Sequence, residues 1–412
     1  MDTIYAESTP PGRGGVSVVR LSGPDARAIG EAVAGPLPVA RRAELRALRD
    51  GEIIDQALVI RFDHGASFTG EDVVEFHLHG APVIVRRLGQ VLTARGARLA
   101  EAGEFTRRGF LNGSIALSEA EGLSDLLAAE SDAQRKQAMR VVGGELADWA
   151  DSLRARLIRA GALIEASLDF ADEDVPEEVP AEALQLLADV REDMLAVLNG
   201  FPAAERLRAG FEVAIVGPPN AGKSSLLNRI AQRDLALVSD IPGTTRDIIE
   251  LHTELDGLAV TFLDTAGLRD TDDLVEQMGV GRARERAQAA DLRLHLEEAD
   301  AALLQQGDLV LRSKSDLGEG DLSAHTGEGV AEMLTAVRER LAGRVAGAGL
   351  ISRQRQADAL RRAVLGLSEI GGAPELLAER LRIAIQGLAE VVGRVAPDDY
   401  LDEIFASFCI GK

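Results

Sequence analysis

The chain of 412 residues is too long for one ordinary core, so two or three domains are expected. Hydrophobic residues make up 46% and charged residues 27%, and Arg or Glu interrupts even the richest apolar segments, which excludes a membrane-spanning chain. The N-terminus lacks the basic start and apolar block of a secretory signal. The single cysteine, Cys409, excludes an internal disulfide framework, so we expect a cytoplasmic protein.

The formal net charge is −22, with 67 acidic residues against 45 basic ones. Contacts from Lys and Arg to phosphates supply most of the affinity in nucleic-acid binding. An RNA substrate would therefore require a local basic patch or a partner protein to hold it.

The first region, residues 1–118, predicts an α+β domain. Residues 15–21, 57–60 and 73–78 have the apolar runs of strands separated by glycine turns, and residues 82–95 form a helical pattern. His77 and His79 stand two apart on a predicted strand and point the same way, but the sequence offers no third ligand for a metal.

Helical spacing begins at about residue 119 and predicts a helical domain in two parts, 119–209 and 343–412. Leu146, Trp149, Leu153, Leu157 and Ile164 fall on one face of a long helix. A second helix is expected over 181–198, ended by Gly200 and Pro202. The acidic stretch between them, residues 169–174, is a solvated connection or a site for a divalent cation.

Between the two helical parts, residues 210–342 contain a phosphate-binding loop. A buried-strand pattern at 211–216 leads into Gly217-Pro-Pro-Asn-Ala-Gly-Lys-Ser224, and a helical pattern follows at once. This is the GxxxxGK[ST] motif in its required order of strand, loop and helix. Backbone N–H groups should bind the β-phosphate, Lys223 the β/γ oxygens, and the Ser224 hydroxyl Mg²⁺. An inserted, doubly wound, mainly parallel sheet is therefore expected here.

Two later segments predict the γ-phosphate switches. Asp264 ends an apolar run and begins Asp-Thr-Ala-Gly267, where a Mg²⁺-linked carboxylate and a γ-phosphate N–H are needed. Residues 242–247 carry adjacent threonines, and Thr245 is the candidate second hydroxyl ligand of Mg²⁺. Leu268 stands where many GTPases have a water-orienting Gln, so Glu276 is a candidate for that role or a solvated carboxylate. Asn220 is a candidate ligand of a monovalent cation at the β–γ bridge.

Base recognition is predicted from Ser313-Lys314-Ser315-Asp316, which matches Asn-Lys-x-Asp except at Ser313. Asp316 should accept the guanine N1–H and amine, and Ser323-Ala324-His325 should close over the base, so GTP is expected. Leu292, Leu294 and Leu296 alternate with polar residues, which favours a half-exposed strand over a buried parallel one. The short spacing from Asp316 to Ser323 indicates that this half of the domain is trimmed or partly disordered.

The nucleotide-binding residues expected from these motifs are Asn220, Ala221, Gly222, Lys223, Ser224, Ser225, Thr244, Thr245, Asp264, Thr265, Ala266, Gly267, Lys314, Asp316, Ser323, Ala324 and His325. The family resemblance given next adds Ser239.

Nearly the whole chain resembles the MnmE (TrmE) family of tRNA-modification GTPases. The signatures are Pro10-Pro-Gly-Arg-Gly-Gly15, Phe68-Thr-Gly-Glu-Asp-Val-Val-Glu75, Gly103-Glu-Phe-Thr-Arg-Arg108, Gly243-Thr-Thr-Arg-Asp247 and the terminal Phe408-Cys-Ile-Gly-Lys412. The resemblance implies a folate-binding, dimerising N-terminal domain, a helical domain and an inserted GTPase domain. It also implies hydrolysis that K⁺ stimulates, with Asn220, Ser239, Ile241 and Thr244 around the ion and Glu276 orienting water.

The same resemblance implies modification of carbon 5 of the wobble uridine of certain tRNAs. The homodimer would act in a heterotetramer with the flavoprotein MnmG and draw one carbon from a tetrahydrofolate derivative, methylene or formyl. Arg20, Glu75 and Lys412 match folate positions, and Ser114 stands where some members carry Lys. Cys409 matches a cysteine proposed to be catalytic, although a small buried hydrophobe would suit that position equally.

Two other functions fit part of the sequence. A ribosome-assembly GTPase would share the nucleotide motifs but would leave the N-terminal signatures and Cys409 unexplained. A folate-dependent one-carbon transferase with a regulatory GTPase domain would account best for the N-terminal region.

Overall fold

A computed structural model describes residues 2–169, 179–232, 249–264, 284–368 and 374–394, together with 405, 408 and 411. The chain forms two compact units. Unit 1 comprises Met1–Ser124 with Val392–Lys412, and unit 2 comprises Asp125–Val391. The expected domain limits at 118, 209 and 342 stay a prediction.

Unit 1 is built on a six-stranded sheet of order β3-β4-β5-β2-β1-β6, in which only the β1–β6 pair is parallel. Its strands are β1 (Ile4–Glu7), β2 (Ser17–Ser22), β3 (Glu44–Asp50), β4 (Glu52–Phe62), β5 (Val73–Leu78) and β6 (Arg98–Leu99). Its helices are α1 (Ala26–Ala34), α2 (Pro82–Ala94), α3 (Glu104–Leu111) and α4 (Leu117–Ala128). The strands and the helix predicted here are confirmed.

One face of this sheet is apolar because alternate residues of the strands point to it. Val19, Val59 and Phe76 pack there with apolar residues of α1 and α2 in a single core. The register pairs Arg20 of β2 with Glu75 of β5, and the alternation therefore turns both side chains to the opposite face. The sheet thus separates the core of unit 1 from a polar site.

Buried charges connect two of the sequence signatures of unit 1, residues 68–75 and 103–108. Nη1 of Arg108 lies 3.2 Å from both carboxylate oxygens of Glu71, and Nη2 donates to Glu104 at 2.8 Å and to Asp2 at 2.8 Å. The Ser22 hydroxyl completes the group by donating to Glu71 at 2.7 Å. Because a buried charge is tolerated only when it is paired, these residues specify one packing of α3.

The last described residues of the chain return to unit 1. Phe405 and Phe408 pack with Leu117 and Ala120 of α4 in a small apolar cluster. The carbonyl oxygen of Gly411 accepts a 3.0 Å hydrogen bond from the Ser8 hydroxyl. Gly411, one of the two described residues of the C-terminal signature, therefore lies beside the end of β1.

Unit 2 contains the helices α5 (Asp132–Val142), α6 (Glu145–Asp169), α7 (Ala181–Asn199), α8 (Phe201–Ala209), α9 (Lys223–Ala231), α10 (Val330–Val345), α11 (Gln354–Gly366) and α12 (Pro374–Val392). The predicted apolar face of α6 is confirmed, since Leu146, Leu153, Leu157 and Ile164 are buried and Trp149 is half-buried. Gly200 ends α7 as expected. Pro202 instead lies in the first turn of α8, where proline fits because no N–H partner is needed.

The sheet of unit 2 has five strands in the order β11-β10-β7-β9-β8, parallel except for the β8–β9 pair. These are β7 (Phe211–Val216), β8 (Ile249–Leu255), β9 (Leu258–Asp264), β10 (Leu292–Leu296) and β11 (Leu309–Leu311). Apolar side chains of α9 and α10 pack on this sheet. The expected α/β domain with a mainly parallel sheet is confirmed.

The prediction of a half-exposed strand at Leu292–Leu296 was wrong. All five residues of β10 are buried, and the strand pairs in parallel with both β7 and β11. Its polar residues are satisfied inside the core. Arg293 donates from Nε to Asp308 at 2.7 Å, and His295 lies between Asp308 and the N–H of Asp300.

The second half of this domain has little strand, as the short spacing from Asp316 to Ser323 predicted. The strand β11 has three residues, and no strand forms over 312–329. Among the helices that the structure describes, none is long and apolar enough to cross a membrane.

Candidate functional site

The phosphate loop of residues 217–222 leaves the carboxyl end of β7 and enters α9, as the motif requires. Gly217 lies so close to β10 that a Cβ would come within 2.6 Å of the Leu296 carbonyl oxygen, and Gly222 has a φ of +92°. Both positions therefore require glycine. The backbone N–H groups in the first turn of α9 form the kind of site in which a helix N-terminus binds an anion.

The basic side chain of the loop is held against its own backbone. Nζ of Lys223 donates to the carbonyls of Gly217 at 2.7 Å and Pro218 at 3.0 Å. Lys223 is largely buried, so its ammonium is confined to the loop. Asn220 stands exposed at the tip with a φ of +64°, a conformation that Asn tolerates better than most residues.

A hydroxyl and a carboxylate meet at the edge of the sheet where the parallel strands end. The Ser224 hydroxyl donates a 2.6 Å hydrogen bond to Oδ2 of Asp264, the last residue of β9. A hydroxyl and a carboxylate are hard ligands of the kind that Mg²⁺ takes beside nucleotide phosphates. These two residues therefore fit the expected Mg²⁺ site, where the ion would neutralise charge on the β- and γ-phosphates.

The base-recognition residues also come together. Ser323 is fully buried, and its hydroxyl donates to Asp316 at 2.6 Å while accepting from the N–H groups of His325 and Thr326. The hydrogen bond from Ser323 lowers the pKa of the exposed Asp316 carboxyl. Asp316 is therefore held as an anion, which is the form that accepts two guanine N–H groups.

Ser313 occupies the position of the usual asparagine and contacts the phosphate loop. Its hydroxyl donates to the carbonyl of Ala221 at 2.7 Å and lies against the carboxylate of Glu297, which also accepts the Ser313 N–H at 3.1 Å. Lys314 follows with a φ of +62°. Ser313 thus links the base element to the phosphate loop.

An open cavity of about 330 Å³ adjoins these elements. Ser225, Asn228, Arg229 and Gln232 of α9 and its end line one side, and Ala324 and His325 line the other. Its polar lining and the presence of Ala324 and His325, which follow Ser323, suit a base and ribose. Ser225, Ala324 and His325, three of the expected nucleotide-binding residues, line this cavity.

The remaining expected residues of the nucleotide site lie outside the described residues. These are Ser239, Ile241, Thr244, Thr245, Thr265, Ala266, Gly267 and Glu276. The acidic stretch 169–174 lies outside them too, apart from the backbone of Asp169.

In unit 1, the polar face of the sheet carries a second candidate site. Nε of Arg20 donates to Glu75 at 3.0 Å, and its guanidinium lies 6.0 Å from the ring centre of Phe68 and 5.7 Å from that of Phe105. Ser114 stands exposed beside the loop at Gly70. Cys409 and Lys412 lie outside the described residues.

The histidine pair is not a metal site in the described structure. His77 lies 3.3 Å from Glu75, whereas His79, which follows the end of β5, binds a different carboxylate, Asp55, at 2.8 Å. Within the described ranges, no three His, Cys, Asp or Glu side chains gather as metal ligands would.

The sequence interpretation missed two residues that contact the base elements. Arg229 of α9 donates to two carbonyls of the loop after Ser323, and Glu297 holds Ser313. Neither belongs to a nucleotide motif, so only their position in the fold reveals them.

A phosphate loop on a parallel strand, a Ser–Asp magnesium pair and a Lys-x-Asp base element define the class as a P-loop GTPase with added domains. Family models agree. The MnmE helical domain matches residues 117–409, and the GTP-binding protein TrmE N-terminus matches residues 3–114. The chain belongs to the MnmE family of tRNA modification GTPases, whose members hydrolyse GTP in tRNA modification.

Curated relatives support the same assignment. The tRNA modification GTPases MnmE of Paracoccus denitrificans, Cereibacter sphaeroides and Roseobacter denitrificans are 64%, 51% and 50% identical, each over 100% of both chains. A solved structure of Aquifex aeolicus Era with GDP and aluminium fluoride covers 32% of this chain and 56% of its own at 24% identity. Its TM-score of 0.26 carries no argument about function. The full-length relatives favour tRNA modification over ribosome assembly.

Proposed function

We propose that this chain is a K⁺-stimulated GTPase that modifies carbon 5 of the wobble uridine of certain tRNAs with a flavoprotein partner. The observation that carries the proposal is the presence of a nucleotide site and a separate Arg20–Glu75 site in one chain 64% identical over its length to a tRNA modification GTPase. The first site would drive a switch, and the second would hold the carbon donor.

For hydrolysis, we assign the water-orienting role to Glu276 and the K⁺ to Asn220, Ser239, Ile241 and Thr244. Attack of water forms a bond to the γ-phosphorus as the bond to the bridging oxygen breaks, giving GDP and phosphate. Charge develops on that bridging oxygen, and a monovalent cation there would stabilise it. The exposed Asn220 at the loop tip supports this assignment.

For the carbon donor, we assign a tetrahydrofolate derivative, methylene or formyl, to Arg20, Glu75, Ser114 and Lys412. A pterin ring combines amide and amine groups with a flat face. A carboxylate, a guanidinium and two phenyl rings, as found around Arg20, suit such a ligand. The return of Gly411 to Ser8 supports a place for Lys412 and Cys409 in the same unit.

The partners are proposed from the family resemblance, which implies a homodimer in a heterotetramer with the flavoprotein MnmG. The net charge of −22 supports the need for a partner, because such a chain is poorly suited to hold tRNA alone. In this scheme the flavin supplies redox chemistry and Cys409 is a candidate catalytic group.

The activity is tested by mass analysis of tRNA nucleosides from a deletion strain. Loss of the wobble-uridine modification, restored by the wild-type gene, is expected. Unchanged nucleosides would refute the tRNA assignment. Co-purification of a flavoprotein with the tagged chain tests the partner.

The cation is tested by replacing Na⁺ with K⁺ at constant ionic strength. Hydrolysis should rise several-fold, and Asn220→Ala should remove that rise. The matched control is Asn199→Ala, at the end of α7, which should keep the wild-type response. Equal rates in both salts for the wild-type chain would refute the K⁺ site.

A further inference from the structure

The helix that follows the phosphate loop reaches the base loop through one side chain, Arg229. Its Nε donates to the carbonyl of Ala324 at 2.7 Å, and Nη2 donates to the next carbonyl, that of His325. A Cβ added to Gly327 would lie 3.8 Å from Cζ of Arg229, so the guanidinium also packs on the end of this loop. One planar group therefore contacts three positions of the base loop, residues 323–327.

The base loop depends on such an anchor because the sheet does not hold it. No strand forms over 312–329, so the loop lacks the ladder of hydrogen bonds that a preceding strand would supply. Internal hydrogen bonds to Ser323 shape it, including Gly327 N–H to the Ser323 carbonyl at 2.8 Å. The N–H groups of Asp321 and Leu322 donate to the Arg312 carbonyl at 2.8 Å and 3.2 Å, which holds the chain just before the loop. Beyond Ser323, the two bonds from Arg229 join the loop to α9.

The loop in turn orients the base-recognition carboxylate. Ser323 donates to Asp316 at 2.6 Å from the first position of the loop. Arg229 stands in the last turn of α9, and Lys223 and Ser224 begin the same helix. The phosphate end and the base end of the site are therefore connected through one rigid helix.

We propose that Arg229 is a positioning residue for guanine recognition: it fixes the base loop, and with it Asp316, at the correct distance from the phosphate loop. This inference rests on the proposed role of Asp316 in binding guanine. Arginine suits the task because its fork donates to two successive carbonyls at once, which a lysine ammonium does less well.

The test measures the affinity of the full-length chain for GDP and IDP, and kcat and KM for GTP. Inosine lacks the exocyclic amine that Asp316 is proposed to bind. Arg229→Ala should weaken GDP binding about tenfold, as expected for the loss of about 1.4 kcal/mol. IDP affinity should fall less, KM should rise and kcat should change little. Arg229→Lys should recover part of the loss.

Arg340→Ala is the matched control. Arg340 also donates to a loop carbonyl of this domain, that of Gly307, at 3.0 Å, but away from the base loop. It should keep wild-type affinity and the wild-type ratio of GDP to IDP. Thermal unfolding of each variant verifies that the domain is folded.

Two results would overturn the proposal. One is GDP affinity of Arg229→Ala within twofold of wild type, and the other is an equal loss for GDP and IDP, which would mean general destabilisation of the site. The variant Asp316→Asn separately tests the underlying assumption that Asp316 binds guanine. If that variant binds GDP as wild type does, the assignment of Asp316 fails, whatever the result at Arg229.

Discussion

Arg293 and Asp308 form a 2.7 Å ion pair whose side chains are 2% and 1% exposed. The guanidinium of Arg293 also donates to the carbonyls of Ala287, Gln288 and Ala290, at the end of the helical segment 284–289. Burial alone would raise the pKa of Asp308, but hydrogen bonds from Arg293 and from backbone N–H groups outweigh it, and the pKa is lowered. The pair thus places a charged group inside a parallel sheet without leaving it unpaired.

Asp308→Ala should destabilise the nucleotide domain strongly. The change leaves the Arg293 charge buried without its carboxylate, and breaking a buried pair costs about 3–5 kcal/mol. Denaturant unfolding, followed by nucleotide binding, measures the loss. The control is Asp256→Asn, which removes the charge of the exposed pair with Arg338 and keeps a residue that tolerates the positive φ of this turn, so it should cost at most about 1 kcal/mol. Similar costs for both variants would contradict the role given to the buried pair.

Ser224→Ala should abolish most GTP hydrolysis. The Ser224 hydroxyl and Asp264, 2.6 Å apart, are the described side chains that fit Mg²⁺, and the variant loses one of the two. A fall in kcat/KM of about a hundredfold or more is expected, measured by phosphate release at saturating Mg²⁺. Thr335→Ala removes an exposed hydroxyl from α10 and should leave the rate unchanged. Hydrolysis by Ser224→Ala at near wild-type rate would exclude this metal site.

Ser313→Ala should weaken guanine-nucleotide binding modestly. It removes the 2.7 Å hydrogen bond to the Ala221 carbonyl, and a neutral hydrogen bond contributes about 1 kcal/mol, or about fivefold in affinity. Ser315→Ala removes an exposed bond to Glu328 and serves as the control. GDP titration distinguishes the two. If both variants bind GDP equally well, Ser313 does not replace the usual asparagine in nucleotide binding.

Arg20→Ala should reduce the affinity for 5-formyl-tetrahydrofolate by tenfold or more, since hydrogen bonds to charged groups contribute about 1.5–3 kcal/mol. Arg20→Lys should restore little, because an ammonium stacks less well between Phe68 and Phe105. Arg46→Ala, on β3 of the same sheet, is the matched control. Calorimetric titration of the full-length chain provides the measurement. Unchanged affinity in Arg20→Ala would remove Arg20 from the folate site.

Asp2→Asn should reduce stability at neutral pH but not in acid. The hydrogen bond from Arg98 lowers the pKa of Asp2 to about 2 against a smaller opposing effect of burial. A lowered pKa stabilises the fold above the unfolded value of about 4, and this contribution is lost as the pH falls towards 2. Because Asp2 is exposed, the difference should not exceed about 1 kcal/mol at pH 6. Thermal unfolding at pH 6 and at about pH 2 measures it, and a difference independent of pH would contradict the assignment.

The sequence predicted the elements whose causes are local. The phosphate loop, its flanking strand and helix, and the apolar face of α6 all follow from neighbouring residues. The burial of β10 does not follow from neighbouring residues. The partner that permits Arg293 inside the sheet is Asp308, which lies on the loop before another strand. Arg229 and Glu297 were missed for the same reason. Each acts on a loop that is distant along the chain, and neither has a pattern of its own.

The return of Phe405, Phe408 and Gly411 to unit 1 has a consequence for biosynthesis. These residues cover Leu117 and Ala120 and contact Ser8, yet the ribosome makes them only after all of Asp125–Val391. While unit 2 is translated, part of the apolar surface of the nascent N-terminal unit therefore stays uncovered. Any product released early would lack this cover and would present that surface to chaperones and proteases, which would favour the removal of incomplete chains.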